Sequence, residues 1–223
     1  MSHITKENNF VYLAVGLVLM LFIGALLEYI PGDIGPIIIQ AATVAALLIG
    51  AWGIKGSRSR FVTNIAFVLV MLLLIVGGLV LDRAGFRYTH LLLLLCFFIW
   101  MTWLVADQVL FTGGITSNDI VGAICIYMML GLIWAVLYLF LAEIVPGAFN
   151  GLPQAPWLDN FSAAIYFSFV TITTLGYGDI SPAMPLARFL VYMEAIVGVF
   201  YMAILVASLI GVRMSDREAE KKQ

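Results

Sequence analysis

The sequence predicts an all-α integral membrane protein: six membrane-spanning helices, with a re-entrant element between the fifth and the sixth. Three observations carry that prediction. Hydrophobic residues make up 63% of the 223-residue chain, against about 45–50% in ordinary globular domains. Charged residues make up only 11%, against about 25%. The apolar residues also fall in long uninterrupted runs, each near the roughly 20 residues that a helix needs to cross a bilayer. A soluble fold of this length has too little interior to hide so much apolar surface. Six spans leave no room for a sizeable soluble domain.

Taken in order, the spans are expected at Phe10–Ile30, Ile34–Ile54, Phe61–Leu81, His90–Phe111, Ile120–Val145 and Leu186–Val212. Ser2 to Asn9 is polar without a basic start, and no small-residue cleavage site closes the run behind it. The first span is therefore expected to be retained, not removed as a signal peptide. Cys96 and Cys125 both lie inside apolar runs, which implies neither a disulfide framework nor a metal cluster. Between the fifth and sixth runs the chain changes character. Pro146 to Asn160 is turn-rich, with three prolines and two glycines, and Phe161 to Thr173 is apolar but only 13 residues long. A short apolar helix followed by a glycine-rich stretch reads as re-entrant, because non-helical backbone at membrane depth must be buried in protein or line a watery cavity.

Orientation follows from the basic residues. With six spans both ends share one side, and eight of the eleven Lys and Arg fall there: Lys6, Lys55, Arg58, Arg60, Arg213, Arg217, Lys221 and Lys222. Arg83, Arg87 and Arg188 fall on the other. Both termini are expected in the cytoplasm, with the re-entrant loop opening outward. Glu28, Asp33, Asp82, Glu143, Asp159 and Asp179 lean to the outer face. There they are solvated loop residues, or they modestly concentrate cations.

The most informative stretch runs from Thr171 to Asp179: Thr-Ile-Thr-Thr-Leu-Gly-Tyr-Gly-Asp. Gly176 and Gly178 lack a Cβ and reach backbone conformations closed to other residues. Alternating them with Leu175 and Tyr177 lets successive carbonyls point the same way. Such a strand, repeated around an axis, presents stacked rings of oxygens that can replace an ion's water shell. The short helix before it ends at the strand, so its negative dipole end favours a cation near the membrane centre. Thr174 adds a hydroxyl to the lowest ring.

These residues resemble the selectivity filter of the tetrameric potassium channels, T-x-T-T-V-G-Y-G-D, from which this chain departs only by Leu175 for the usual Val. The resemblance covers about Ile120 to Val212: outer helix, pore helix, filter and inner helix. The first four spans resemble the six-span architecture in number and order, not in detail. The resemblance implies a homotetrameric pore in which Thr174, Leu175, Gly176 and Tyr177 supply the oxygens that coordinate permeant K+, with no resident cofactor. Gly178 would allow the turn at the outer mouth, and Asp179 would hydrogen-bond behind the filter. Thr173, Tyr166 and Phe167 would support it. The last two stand where many members carry a Trp-Trp pair, so the usual indole donor is missing. Pro182 and Arg188 continue the family's context, and Gly198, nineteen residues after Asp179, falls at its inner-helix hinge position.

The chain therefore divides into a peripheral four-helix bundle at 1–111, a degenerate relative of a voltage sensor, a pore domain at 119–213 and a short cytoplasmic tail at 214–223. A working sensor needs positive charge along the fourth span, since the field acts at about 2.3 kcal/mol per elementary charge per 100 mV. Between His90 and Phe111 there is no Arg or Lys. Gln40 and Asn64 are the only strongly polar residues of the second and third spans, and Arg83 and Arg87 are expected in the outer connection. The channel is accordingly expected not to be steeply voltage-gated. The uncharged connection Thr112 to Asn118 makes a poor lever. Phe97, Phe98, Trp100 and Trp103 are expected as bilayer and interface anchors rather than a ligand box, and Asp107 as a group that snorkels or pairs locally, with a sensing role as the alternative.

Glu194 lies within the last span, where an ionisable side chain is expensive. It can face the cavity, bond behind the pore helix, or titrate and make conduction pH-sensitive. With a tail this short, regulation is expected through pH, lipid, tension, the filter itself or a separate regulatory protein. The expected partners are membrane lipid, K+ and three more copies of the chain, not nucleic acid, in a prokaryotic inner membrane. Two other transport readings compete: a weakly selective cation channel on the same frame, and a subunit of an active potassium uptake system. The latter places four degenerate filters in one longer chain. A catalytic role is rejected, because the sequence holds no metal-ligand cluster, nucleophile–base set or phosphate loop, and His3 and His90 stand alone.

Overall fold

A computed structural model describes residues 9–27, 40, 43–45, 58–81, 84–110 and 117–221. The expected span Ile34–Ile54 and the connection 111–116 lie largely outside the described residues. Six helices are described: α1 Asn9–Leu27, α2 Arg58–Leu81, α3 Ala84–Leu110, α4 Ser117–Ile144, α5 Phe161–Ile172 and α6 Pro185–Lys221. Three contain stretches long and apolar enough to cross a membrane, Gly85–Val109, Asn118–Ile144 and Pro185–Leu205. The chain is a multi-pass membrane protein. The apolar parts of α1 and α2, Phe10–Leu26 and Val62–Gly77, are shorter, and α5 is a twelve-residue helix.

Two boundaries differ from expectation. α3 begins at Ala84, ahead of the anticipated His90, and Thr89 Oγ donates back to the Gly85 carbonyl at 2.8 Å. Arg87 therefore belongs to the first turns of α3, not to a connection. α6 continues as helix to Lys221, so the anticipated tail is mostly an extension of that helix. α6 starts at Pro185, whose missing N–H is no loss in a first turn.

α4 is the hub. Its buried face, including Met129, Leu132, Val136 and Leu139, shares one apolar core with Phe10, Leu13 and Leu17 of α1 and Leu91, Leu94 and Leu104 of α3. That core continues into α5 through Phe161, Ala164 and Ile165. The first helix and α3 thus pack directly on α4 of the same chain.

Here the aromatic expectation for α3 is corrected. Phe97 and Phe98 are buried in the core, and Trp100 donates its indole N–H to Asn64 Oδ1 of α2 at 2.9 Å. Only Trp103 is exposed, with the Arg60 guanidinium 5.6 Å from its ring centroid. An apolar helix in lipid has no hydrophobic stripe to tell its protein face from its lipid face, so the sequence could not separate these residues. Asp107 pairs as expected, 3.0 Å from Arg60.

After α4, Gly147 and Gly151 take left-handed backbone and turn the chain into a loop tied by a two-stranded antiparallel ribbon. β1 (Phe149–Asn150) pairs with β2 (Ser181–Pro182), Phe149 opposite Pro182 and Asn150 opposite Ser181. The strand after the glycine-rich stretch is thereby stitched to the loop before α5.

Candidate functional site

α5 lies between α4 and α6, and two glycines let those helices come close. A Cβ on Gly131 of α4 would fall 2.9 Å from the Phe169 ring, and one on Gly198 of α6 would fall 2.7 Å from Ile172 Cγ1 and overlap the Ile172 carbonyl oxygen. Small residues at such crossings are the usual device for packing helices in lipid, where no hydrophobic force drives them together. Gly198 thus has a packing role that the hinge expectation did not contain. α6 is one continuous helix through it.

α5 ends at Ile172, where Tyr127 of α4 donates its hydroxyl to the Ile172 carbonyl at 3.1 Å. Tyr127 stacks on Tyr201 of α6 at 5.6 Å, and Tyr201 donates to the Ala123 carbonyl at 2.6 Å. The two tyrosines brace the helix end. The chain then wraps on itself: Thr174 N–H donates to Thr171 O at 2.9 Å, while Leu175 and Gly176 N–H both donate to Val170 O, at 2.9 and 3.2 Å. Thr173 spends its hydroxyl on the Phe169 carbonyl at 2.6 Å.

From there the backbone alternates. Thr174, Gly176 and Gly178 have φ of +60°, +59° and +82°, and Leu175 and Tyr177 between them do not share that sign. The glycines behave as their type allows. Thr174 does not: a β-branched residue at positive φ is a true outlier and costs on the order of 1–3 kcal/mol. Strain held in place by surrounding hydrogen bonds is characteristic of functional backbone.

The flanking residues separate into two groups. Tyr166 is exposed, and its side-chain hydrogen bond to Asp179, with that carboxylate's charge, pushes the phenol above the ordinary tyrosine range. Phe167 points the other way. It packs on Tyr138 of α4 at 5.0 Å and on Phe149 of β1 at 5.7 Å. Gly151, at φ +78°, approaches the C-terminal end of the stretch so closely that a Cβ would overlap the Asp179 carbonyl oxygen.

Glu194 is fully buried, away from the exposed stretch 173–179. It accepts from the Tyr138 hydroxyl of α4 and lies 2.5 Å from Ser168 Oγ of α5, which is also 2.6 Å from the Gly131 carbonyl oxygen. Of the three sequence-level options for this residue, the structure shows the bond behind α5. Ser168, Tyr138, Gly131, Tyr127 and Gly151 were not anticipated. The available signal was that polar and very small residues inside apolar runs must each find a partner.

Leu175 and Tyr177 are 55% and 68% exposed, and α6 leaves Phe189, Tyr192, Ile196, Val199 and Phe200 exposed as well. One face of the site is therefore unpartnered within a single chain.

A twelve-residue apolar helix ending in strained, alternating backbone thus stands between two long apolar helices. Residues 124–214 match the family model described as ion channel. Among individual proteins, the chain is 33% identical over 90 residues to the inward rectifier potassium channel Kirbac3.1 of Paramagnetospirillum magnetotacticum. That similarity covers 40% of this chain and spans 28% of the relative's length.

Proposed function

We propose that the protein is a potassium-selective channel that conducts K+ passively through a tetramer of this chain. The observation that carries the reading is the alternating backbone at Thr174–Gly178, in a Thr-Leu-Gly-Tyr-Gly sequence, at the end of a short helix between two long ones. Alternating handedness lets carbonyls of successive residues share one side, and rings of carbonyls replace an ion's hydration shell. One chain supplies one side of such a ring. The exposed Leu175, Tyr177 and α6 face support four copies closing it, with Thr174, Leu175, Gly176 and Tyr177 as K+ ligands. The potassium channel among its relatives supports the choice of ion.

In this reading six spans cross a prokaryotic inner membrane with both termini cytoplasmic, and the 1–111 segment buttresses the pore. With no Arg or Lys from His90 to Phe111, open probability depends weakly on voltage. Protein in liposomes passes K+ or Rb+ far better than Na+, is blocked by Ba2+, and has the mass of four chains. Equal Na+ and K+ flux from an intact tetramer overturns the selectivity. A single-chain particle overturns the pore.

A further inference from the structure

The hydrogen bonds around Glu194 admit only one count of protons. Ser168 Oγ lies 2.6 Å from the Gly131 carbonyl oxygen and 2.5 Å from Glu194 Oε1. A serine hydroxyl has one proton, and a backbone carbonyl only accepts. If Ser168 gives its proton to Gly131, the contact with Glu194 needs a second proton, and Oε1 is the only atom that can carry it. If Ser168 turns to Glu194 instead, the carbonyl faces a bare oxygen lone pair at 2.6 Å. An ionised Glu194 thus leaves one of two short oxygen pairs without a hydrogen in either arrangement.

The surroundings agree. Glu194 is fully buried, and among the described residues no basic side chain is paired with it. The groups facing it are Ser168 from α5 and Tyr138 and Tyr127 from α4, none of them cationic. A buried carboxylate without a counter-charge is strongly disfavoured.

We propose that Glu194 is a positioning residue that carries its proton on Oε1 and runs a one-way hydrogen-bond relay from α6 through Ser168 of α5 to the Gly131 carbonyl of α4. Losing that proton breaks the relay and releases α5, and with it the backbone that α5 holds. The consequence for ion flow rests on the channel reading above. The proton assignment does not.

Two measurements on the full chain in lipid test it. Infrared spectra show a protonated-carboxyl C=O band at neutral pH that is absent from Glu194→Gln and lost in the native protein at alkaline pH. Rb+ flux holds from acid to neutral pH and falls about tenfold or more at alkaline pH, the scale of leaving one buried hydrogen-bonding group unmatched. Glu194→Gln, whose amide N–H donates to Ser168 as the acid does, keeps its flux and loses the alkaline fall. A carboxylate in place of the C=O band at neutral pH overturns the assignment. So does loss of flux in Glu194→Gln while the tetramer stays intact with an unchanged melting midpoint. Absence of flux in every form overturns the channel reading instead, and the infrared band then decides the proton assignment by itself.

Discussion

Replacing Gly198 with alanine distinguishes close packing from simple hinge flexibility. The added methyl falls 2.7 Å from Ile172 Cγ1 and 3.1 Å from the Ile172 carbonyl carbon, and it overlaps the carbonyl oxygen. Carbon contacts settle at about 3.5–4.0 Å, so α6 and α5 must separate by about 1 Å. The obstructing group is backbone, at a helix end that Tyr127 also holds, and cannot swing aside. Overpacking of this kind costs about 1–3 kcal/mol, and the immobile neighbour puts it at the upper end. Alanine returns up to about 1 kcal/mol in helix propensity. The remaining loss of about 2 kcal/mol, at about 2–4 °C per kcal/mol for a chain of this size, lowers the melting midpoint by about 4–8 °C. The assay is heat-induced dissociation of the purified protein in detergent, read beside Rb+ flux. Reduced flux with an unchanged midpoint refutes the packing argument and leaves the hinge. An unchanged midpoint and unchanged flux refute both.

Gly151→Ala forces a side chain to φ +78° and against the Asp179 carbonyl. The handedness alone costs about 1–2 kcal/mol, so the midpoint falls and K+ over Na+ selectivity declines as the outer end shifts. Tyr166→Phe removes the partner of Asp179 while keeping the ring. Sustained K+ flux should decay faster while initial selectivity is retained, and recordings with unchanged decay would deny Tyr166 a supporting role. Arg60→Ala or Asp107→Ala breaks a pair whose side chains are about a third exposed (33% and 31%). Such a pair contributes about 1 kcal/mol or less, so the midpoint moves by a few degrees at most and the voltage dependence stays flat. Steep voltage dependence in either the native protein or these variants contradicts the reading of the first helices.

Much of the site was legible because glycine at alternate positions is itself a statement about backbone: Gly176 and Gly178 have the positive φ that their type permits. Thr174 was not legible in that way, since its side chain argues against the conformation it adopts, and only the hydrogen bonds to Thr171 and Val170 carbonyls explain how it is held. Tyr166 and Phe167 were paired in sequence as filter support. Being adjacent on a helix, they point about 100° apart, one to Asp179 and the other to Tyr138 and Phe149.

Composition and run length alone determined a multi-pass helical membrane protein, because lipid demands long apolar segments whatever they pack against. The Thr-Leu-Gly-Tyr-Gly sequence alone marked where the backbone would take unusual conformations, because backbone freedom is written in residue type. Which faces meet was decided only in three dimensions. An apolar helix advertises no inward side in lipid, so the burial of Phe97 and Phe98 and the packing of α1 and α3 on α4 of their own chain could not be read from periodicity. The same holds for Gly198 against Ile172. For Glu194, the sequence shows a costly acid in an apolar run. Only the convergence of α4, α5 and α6 supplies the two oxygens that settle where its proton must be.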